Sequence, residues 1–503
     1  MPVDVIPFGN NQSSIDIPGS EGAQQTGSVM RDVYFDMSGN IVKRPVLDQY
    51  ADTGESEAIK GLYAWDRSTG TGDFLIASAS TKIFISTGNY GTTLNEITNG
   101  TWTQFDGNVY SRAIFTKHGS DLYVVNGGKI KRIYYNSGYY IDDLTDVDAP
   151  TSVISIAGFD KYLIAGDYGT GNFYWSEVNA PTDWRGYYAE AESKPDFLWH
   201  VEAVGSLLYL IGAKTVEAWY NDGVTPFVRI SQGAIQDGAM APRSIVFCDS
   251  INAFVFRNQK NQLVKTVGNE TVSLSPSLDQ FLSYYYSATT TPNEVGYYFV
   301  YDGLPFYMLS HHEGSYAYGG PGTGSTSTPK SGFSVAVNLL TNDWYEWGAK
   351  HTDNRRIPFQ IASIITTPVG VLCGDANDGL IHRLTRGGTD DSAYGDSDPM
   401  VRSIHVTRGA PGREKICNSL TFHFKAPQTH TSSNFGITVK YSDDGGSTWT
   451  SGRQVVADIS TGQKAKIVTE RNWGRYYQRQ WQIDFDDTDD IALGPVIEEF
   501  DIV

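Results

Sequence analysis

The clearest regularity in the chain is an alternation of short apolar runs and polar breaks that is written twice in succession. Ser152-Val-Ile-Ser-Ile-Ala157 is apolar and β-branched, Gly158-Phe159 interrupts it, and Asp160-Lys-Tyr-Leu-Ile-Ala165 and Asn172-Phe-Tyr-Trp-Ser176 follow. The pattern then restarts with Trp199-His-Val-Glu-Ala-Val204, Ser206-Leu-Leu-Tyr-Leu-Ile211 and Thr215-Val-Glu-Ala-Trp-Tyr220, so that Asp160 and Ser206 hold matching places. Short runs rich in Val, Ile, Tyr and Trp and bounded by Gly, Asp, Asn and Ser predict antiparallel strands joined by tight turns. Repetition at roughly 40 to 50 residues with about four strands per unit predicts propeller blades.

The same pattern runs through most of the chain. Strands are expected at 60–65, 73–79 and 82–86, with Trp102 in an outer strand, and at 112–116, 121–125 and 129–135. Further units read 244–248, 251–257 and 262–267, then 294–301, 304–310, 333–338 and 343–347 around a Gly/Ser/Thr/Pro-rich insertion at 311–331. Strands at 360–366, 369–373 and 379–384 make three members of a seventh unit. The early strand at 29–35, which turns at Gly39-Asn40 into 41–44, is expected to supply the missing member and close the ring, since an open ring leaves sheet edges to aggregate. One short helix is expected at 276–283, with Ser275 as its cap, Pro276 in the first turn, and Leu278, Phe281 and Leu282 facing inward.

Beyond a Gly/Asp/Ser-rich linker at 387–399, strands at 419–425, 436–441, 454–457, 477–485 and 496–502 predict a β-sandwich-like domain. The expected organisation is therefore all-β: an extended N-terminal arm at 1–28, a six- or seven-bladed β-propeller at 29–386, the linker, and the β-sandwich-like domain at 400–503. The arm is Gly-, Ser-, Asn- and Gln-rich and lacks a core of its own, as expected of a segment that lies along a neighbour.

Composition agrees with many half-buried strands: the 503 residues include Gly 52 and Tyr 31, with 13% aromatic residues. Cys248, Cys373 and Cys417 are far apart and offer neither a disulfide framework nor zinc spacing, so they are expected as small buried hydrophobes. The N-terminus lacks a basic and apolar leader and no run is long enough to span a membrane, which points to synthesis and assembly in a cytoplasm. A net charge of −19 argues against wrapping nucleic acid by phosphate neutralisation, although an acidic pore wall would let a duplex slide without sticking.

Among local motifs, Ser442-Asp-Asp-Gly-Gly-Ser-Thr-Trp449 spells an Asp box, with Ser442, Asp444, Gly446, Thr448 and Trp449 in place. Its expected role is a structural turn in which the Asp444 carboxylate accepts backbone N–H bonds, glycines supply positive φ, and Trp449 packs beneath. The box is similar to that of sialidase-type propellers, and with the many Trp and Tyr it motivates an alternative reading as a carbohydrate-binding or sialidase-like propeller. It occurs once, outside the blades, and no glycosidase carboxylate arrangement is assignable. His311-His-Glu313 is expected as a solvated loop rather than a metal site, and Asp375-Ala-Asn-Asp378 as a turn lacking the glutamate of a calcium loop. The cluster Asp486, Asp487, Asp489 and Asp490 reads as a solvated acidic loop. No catalytic residue, metal ligand or cofactor fingerprint is assigned, and the chain is not expected to be an enzyme.

Several dispersed stretches together resemble the tail hub, or nozzle, proteins of short-tailed bacteriophages, the packaged-DNA stabilisation proteins of the Salmonella podovirus type. They are 162–176, Tyr188-Ala-Glu-Ala-Glu-Ser-Lys-Pro-Asp196, Gly212-Ala-Lys-Thr-Val-Glu-Ala-Trp-Tyr220, 273–284, Cys373-Gly-Asp375 and Tyr441-Ser-Asp-Asp-Gly445. The insertion at 311–331 and the long N-terminal arm depart from that family. The resemblance implies a structural virion protein of the tail, assembled in the host bacterial cytoplasm as a homo-hexamer below the portal adaptor. It further implies a ring that continues the DNA channel, retains packaged double-stranded DNA without sequence-specific binding, and anchors tailspike, fibre or tail-needle proteins during genome ejection.

Overall fold

The computed structural model describes residues 2–8, 29–67, 73–103, 112–191, 194, 196–224, 226–230, 233–287, 294–312, 332–350, 356–386, 399–403, 412–426, 434–460, 463–485 and 491–503. The chain is nearly all β. Six four-stranded antiparallel sheets stand as self-contained propeller blades. In ring order the first is Ile59–Trp65, Phe74–Ala79, Lys82–Ser86 and Leu94–Glu96, and the second Ile114–His118, Asp121–Val125, Lys131–Tyr135 and Tyr139–Asp143. The third is Val153–Phe159, Tyr162–Asp167, Asn172–Glu177 and Ala180–Glu190; the fourth Leu198–Val204, Leu207–Gly212, Val216–Tyr220 and Val228–Arg229. The fifth runs Val246–Cys248, Ala253–Arg257, Leu263–Val267 and Glu270–Ser273. The closing blade comprises Ile361–Thr367, Gly370–Asp375 and Leu380–Thr385 with Val46–Asp52 as its outer strand.

Between the fifth and closing blades the ring is filled by a four-strand meander, Val295–Tyr301, Leu304–His312, Gly332–Asn338 and Trp344–Glu346. Its first strand packs against Val246–Cys248 on one side and Ile361–Thr367 on the other, and Ile361–Thr367 packs in turn against Ile59–Trp65. The ring is therefore completed by an N-terminal strand, but by Val46–Asp52 rather than by the strand near Val29. The reason lies at Asp32, whose φ of 49° breaks that early run into Val29–Arg31 and Val33–Phe35 and sends the halves to different sheets. The outer strand of the first blade is Leu94–Glu96; Trp102 instead packs, partly buried, on the core shared with the second blade.

The inner strands carry a shared irregularity. Register slips between Ile59 and Gly61, Val153 and Ser155, Leu198 and His200, and Ile361 and Ser363, the same place in four blades. A bulge of this kind bends the strand and frees a residue from its own ladder. In two blades the serine just after the bulge reaches the next blade: Ser363 Oγ donates to Ile59 O at 2.8 Å, and Ser155 Oγ accepts from Val201 N at 3.1 Å. Close approach of blades also depends on Gly296, where an added Cβ would stand 2.5 Å from Ser244 O.

The C-terminal domain stacks two sheets. One contains Lys415–Lys425, Ala465–Tyr476, Ala492–Leu493, Ile497–Ile502, Ile41–Lys43, Val33–Phe35 and Val3–Val5. The other contains Met400–Arg402, Gln480–Phe485, Asn434–Ser442 and Arg453–Asp458, and through Val29–Arg31 it is continuous with the propeller meander as one nine-stranded sheet. Their facing side chains, among them Phe422, Phe424, Ile437, Val439 and Trp481, merge with Tyr297, Phe299 and Phe306 of the meander into one buried cluster. The helix Pro276–Ser287 is a turn longer than its sequence pattern predicts, and Leu278, Phe281 and Leu282 are buried in a satellite core, with Phe281 stacked on Trp344.

Candidate functional site

The inner strands of the first five blades line a cavity of about 360 Å³ at the propeller axis. Leu62 and Tyr63 come from the first blade, Arg112 and Phe115 from the second, and Ile154 from the third. Trp199, His200 and Glu202 come from the fourth, and Arg243, Phe247 and Asp249 lie in or beside the first strand of the fifth. The Leu198/His200 bulge turns His200 toward Ser155 of the preceding blade, whose Oγ lies 3.2 Å from His200 Nδ1. His200 Nε2 lies 2.9 Å from Glu202 Oε2.

This Ser–His–Glu string has the residue types of a nucleophilic triad but the geometry of a strut. Ser155 is fully buried, its Oγ accepts from Val201 N, and it stands 3.3 Å from Val201 O as a donor. A nucleophile has to face a substrate, whereas this hydroxyl is spent on holding two blades together. Burial, then Asp66 and Glu202, raises the pKa of Tyr63. Burial, opposed by Glu57 and helped by the charge of Arg243, holds the Lys60 ammonium below its ordinary value.

The Asp-box residues converge on one turn of the C-terminal domain, away from the cavity. Ser442 Oγ donates to Asp444 Oδ1 at 2.7 Å and accepts from Gly446 N at 2.8 Å; Thr448 N donates to Asp444 Oδ1 at 2.9 Å and Thr448 Oγ1 to Oδ2 at 2.6 Å. Gly445 and Gly446 have φ of 78° and 85°, and Trp449 Nε1 donates to Gly446 O at 3.1 Å. The Trp449 ring lies beneath the Arg402 guanidinium at 4.7 Å. The Thr448 hydroxyl, then the Thr448 amide and the Ser442 hydroxyl, hold the Asp444 carboxyl down at about 2.

His311 and His312 end a strand of the meander rather than lying in a loop. His311 is buried, stacked on Phe333, with Nδ1 3.8 Å from Glu294 Oε2; Glu313 lies outside the described residues. Asp375-Ala-Asn-Asp378 forms a turn: Asp375 Oδ1 accepts from Asn377 N at 2.7 Å, and its Oδ2 lies 2.9 Å from His382 Nε2. Asp486, Asp487, Asp489 and Asp490 lie outside the described residues. Among the described residues no three His, Cys, Asp or Glu side chains gather as a metal site. Cys248, Cys373 and Cys417 are free thiols, all buried, and burial pushes the pKa of Cys248 and Cys373 up.

Sequence reasoning missed Arg112, Arg243 and Trp199 as partners in one cavity. Each stands near the start of an inner strand, and only the blade-to-blade register brings them together. It also missed Arg479, whose Nε and Nη2 donate to Asp443 inside the Asp box at 2.7 and 2.8 Å.

No curated protein matches the chain. Similar solved structures include the extracellular domain of a hybrid two-component system of B. thetaiotaomicron, at 9% identity over 90% of this chain and 63% of that one, with a TM-score of 0.40. The chain thus spans less than two thirds of the length of that structure. Others are the WD40 beta propeller domain of Doa1, at 10% identity over 67% of this chain and 96% of that one with a TM-score of 0.30, and a Bacteroides uniformis protein described as a 6-phosphogluconolactonase, at 8% identity over 62% and 87% with a TM-score of 0.36. Residues 76–316 match the family model Phage_stabilise, described as Bacteriophage P22 Gp10, beta-propeller. That match covers the second through fifth blades and parts of their neighbours, and makes this stretch of the chain similar to a phage structural propeller.

Proposed function

We propose that the chain builds the hub, or nozzle, of a short-tailed phage of the Salmonella podovirus type, as a ring of six copies in the virion tail. The observation that carries this reading is the family match over residues 76–316. The fused architecture supports it: a nine-stranded sheet running from the propeller into the C-terminal domain gives no hinge at that junction and suits a part that bears load. In this role the ring continues the DNA channel below the portal adaptor and anchors tailspikes, fibres or a needle. It retains packaged DNA by plugging and docking, without catalysis. Its net charge of −19 disfavours tight phosphate binding along the channel wall. Assembly takes place in the host bacterial cytoplasm.

Electron microscopy of purified particles labelled with antibody against the 412–503 region tests the reading. Label confined to the tail, with six-fold density below the portal, is the expected result. Absence of label from both intact and opened particles would sink it.

A further inference from the structure

The cavity at the propeller axis has a chemistry that a load-bearing role leaves unused. In a chain of net charge −19 it gathers cations. Arg112 is half-buried in its wall and has no carboxylate partner among the described residues; its guanidinium stands 5.9 Å from the centre of the Tyr297 ring. Arg243 lines the same cavity, and Lys60 lies near enough to Arg243 to feel its charge.

The nearby carboxylates are occupied or solvated. Glu57 lies 4.0 Å from Lys60, Glu202 is held by His200, and Asp249 is exposed at the rim. A guanidinium drawn partly out of water without an anion gains most from a carboxylate, which its planar fork can grip through two parallel bonds. A second donor is at hand, since the buried Trp199 Nε1 has no hydrogen-bond partner among the described residues.

The remaining wall is flat and apolar. Tyr63 and Phe115 pack at 5.8 Å with a 32° tilt, and Phe247 and the Trp199 ring also line the space. A volume of about 360 Å³ lies at the small end of the range for ligand sites, large enough for one ring and its acid group.

We propose that this cavity binds a carboxylate carried on a flat apolar body, with Arg112 as the anchoring cation. The same group occurs on a free aromatic acid and at the end of a peptide chain. The site stands independently of any place in a virion, so its failure and the failure of the tail reading are separate results.

Calorimetric titration and ligand-observed NMR on the full chain test it, with 3-phenylpropionate, 3-phenylpropionamide, and Gly-Gly-Phe bearing a free or an amidated C-terminus. The acids are expected to bind at least about tenfold more tightly than their amides, and Arg112→Gln to weaken the acids by about tenfold or more with melting unchanged. Tighter binding of the free acid assigns the site to a small molecule; tighter binding of the peptide acid assigns it to a chain end. Equal binding of acid and amide, or no binding of any probe at about 10 mM, overturns the site. That comparison uses the unmodified protein and holds even if Arg112→Gln fails to fold. A folded Arg112→Gln that binds the acids normally overturns it as well.

Discussion

Arg44 and Asp32 form a fully buried ion pair, Nε to Oδ1 at 2.9 Å, where the propeller meets the C-terminal domain. Asp32 Oδ1 also accepts from Gly348 N at 2.9 Å, Arg44 Nη1 donates to Pro45 O at 2.8 Å, and the Arg44 guanidinium stands 4.8 Å from the Phe359 ring centre. Asp32 is the residue whose positive φ splits the early strand between two sheets, and Asp and Asn tolerate that conformation better than most residues. The pair thus fixes the branch point from which Val29–Arg31 and Val33–Phe35 diverge.

Removing one charge there strands the other in the core. Asp32→Asn keeps the backbone preference and is expected to cost about 3–5 kcal/mol, while adding Arg44→Met recovers part of the loss. Thermal melting of the single and double variants checks this. A single variant that melts with the parent protein would show the pair to be dispensable.

Blade contact makes a steric prediction. Gly296 has an ordinary backbone, yet a Cβ there would meet Ser244 O at 2.5 Å and the Tyr307 hydroxyl, which itself donates to Ser244 O at 2.6 Å. Gly296→Ala therefore forces the fifth blade and the meander apart, at an expected cost of about 1–3 kcal/mol. Gly436 lies in a strand of the C-terminal domain with nothing within 4 Å of its missing Cβ, so Gly436→Ala is expected to change stability by no more than about 0.5 kcal/mol. Chemical denaturation of the two variants side by side decides the matter, and equal losses would contradict it.

What the sequence revealed and what it hid follow from how local each feature is. Blade strands such as Tyr162–Asp167 and Leu207–Gly212 are legible because burial on both faces leaves a continuous apolar run. The Asp box is legible because its bonds connect residues two to four apart. The closing strand Val46–Asp52 was hidden because the pattern marks a strand but not its partner, here Leu380–Thr385 at the far end of the propeller. Ala465–Tyr476 was hidden for another reason. Most of its side chains are exposed or half-exposed, so charged residues such as Lys466, Glu470 and Arg471 mask its alternation even though it pairs with nearly all of Lys415–Lys425. The cavity was illegible because five separate strands contribute to it and none carries a motif.

The Asp box gives a pH prediction. Hydrogen bonds from Thr448 and Ser442 hold the Asp444 carboxyl at about 2, below its ordinary 3.8. A folded value below the unfolded one means that the stabilisation is complete above the unfolded value and is lost as pH falls through about 2. A carboxyl NMR titration is expected to place the Asp444 midpoint near 2, with the Thr448 amide losing exchange protection over the same range and losing it at all pH values in Asp444→Ala. A midpoint at the ordinary 3.8 would mean that these bonds do not favour the charged carboxylate.

Arg479 ties that turn to the sandwich core, and its chemistry makes the most specific prediction. Its guanidinium grips Asp443 through Nε and Nη2, while Nη1 donates to Trp473 O at 2.6 Å and Nη2 also to Arg475 O at 3.2 Å. Around it stand the rings of Tyr441, Tyr476 and Trp481, with centres 3.8, 4.6 and 5.2 Å from its central carbon. A lysine keeps the charge but loses the planar fork, the backbone bonds and the stacking surface. Arg479→Lys is therefore expected to destabilise the C-terminal domain nearly as much as Arg479→Met, by about 2–4 kcal/mol, because the partner carbonyls are left without donors in either case. If charge alone held the turn, Arg479→Lys would melt like the parent protein and only Arg479→Met would fall. Thermal melting read through tryptophan fluorescence, to which Trp473 and Trp481 of this cage contribute, separates the two outcomes.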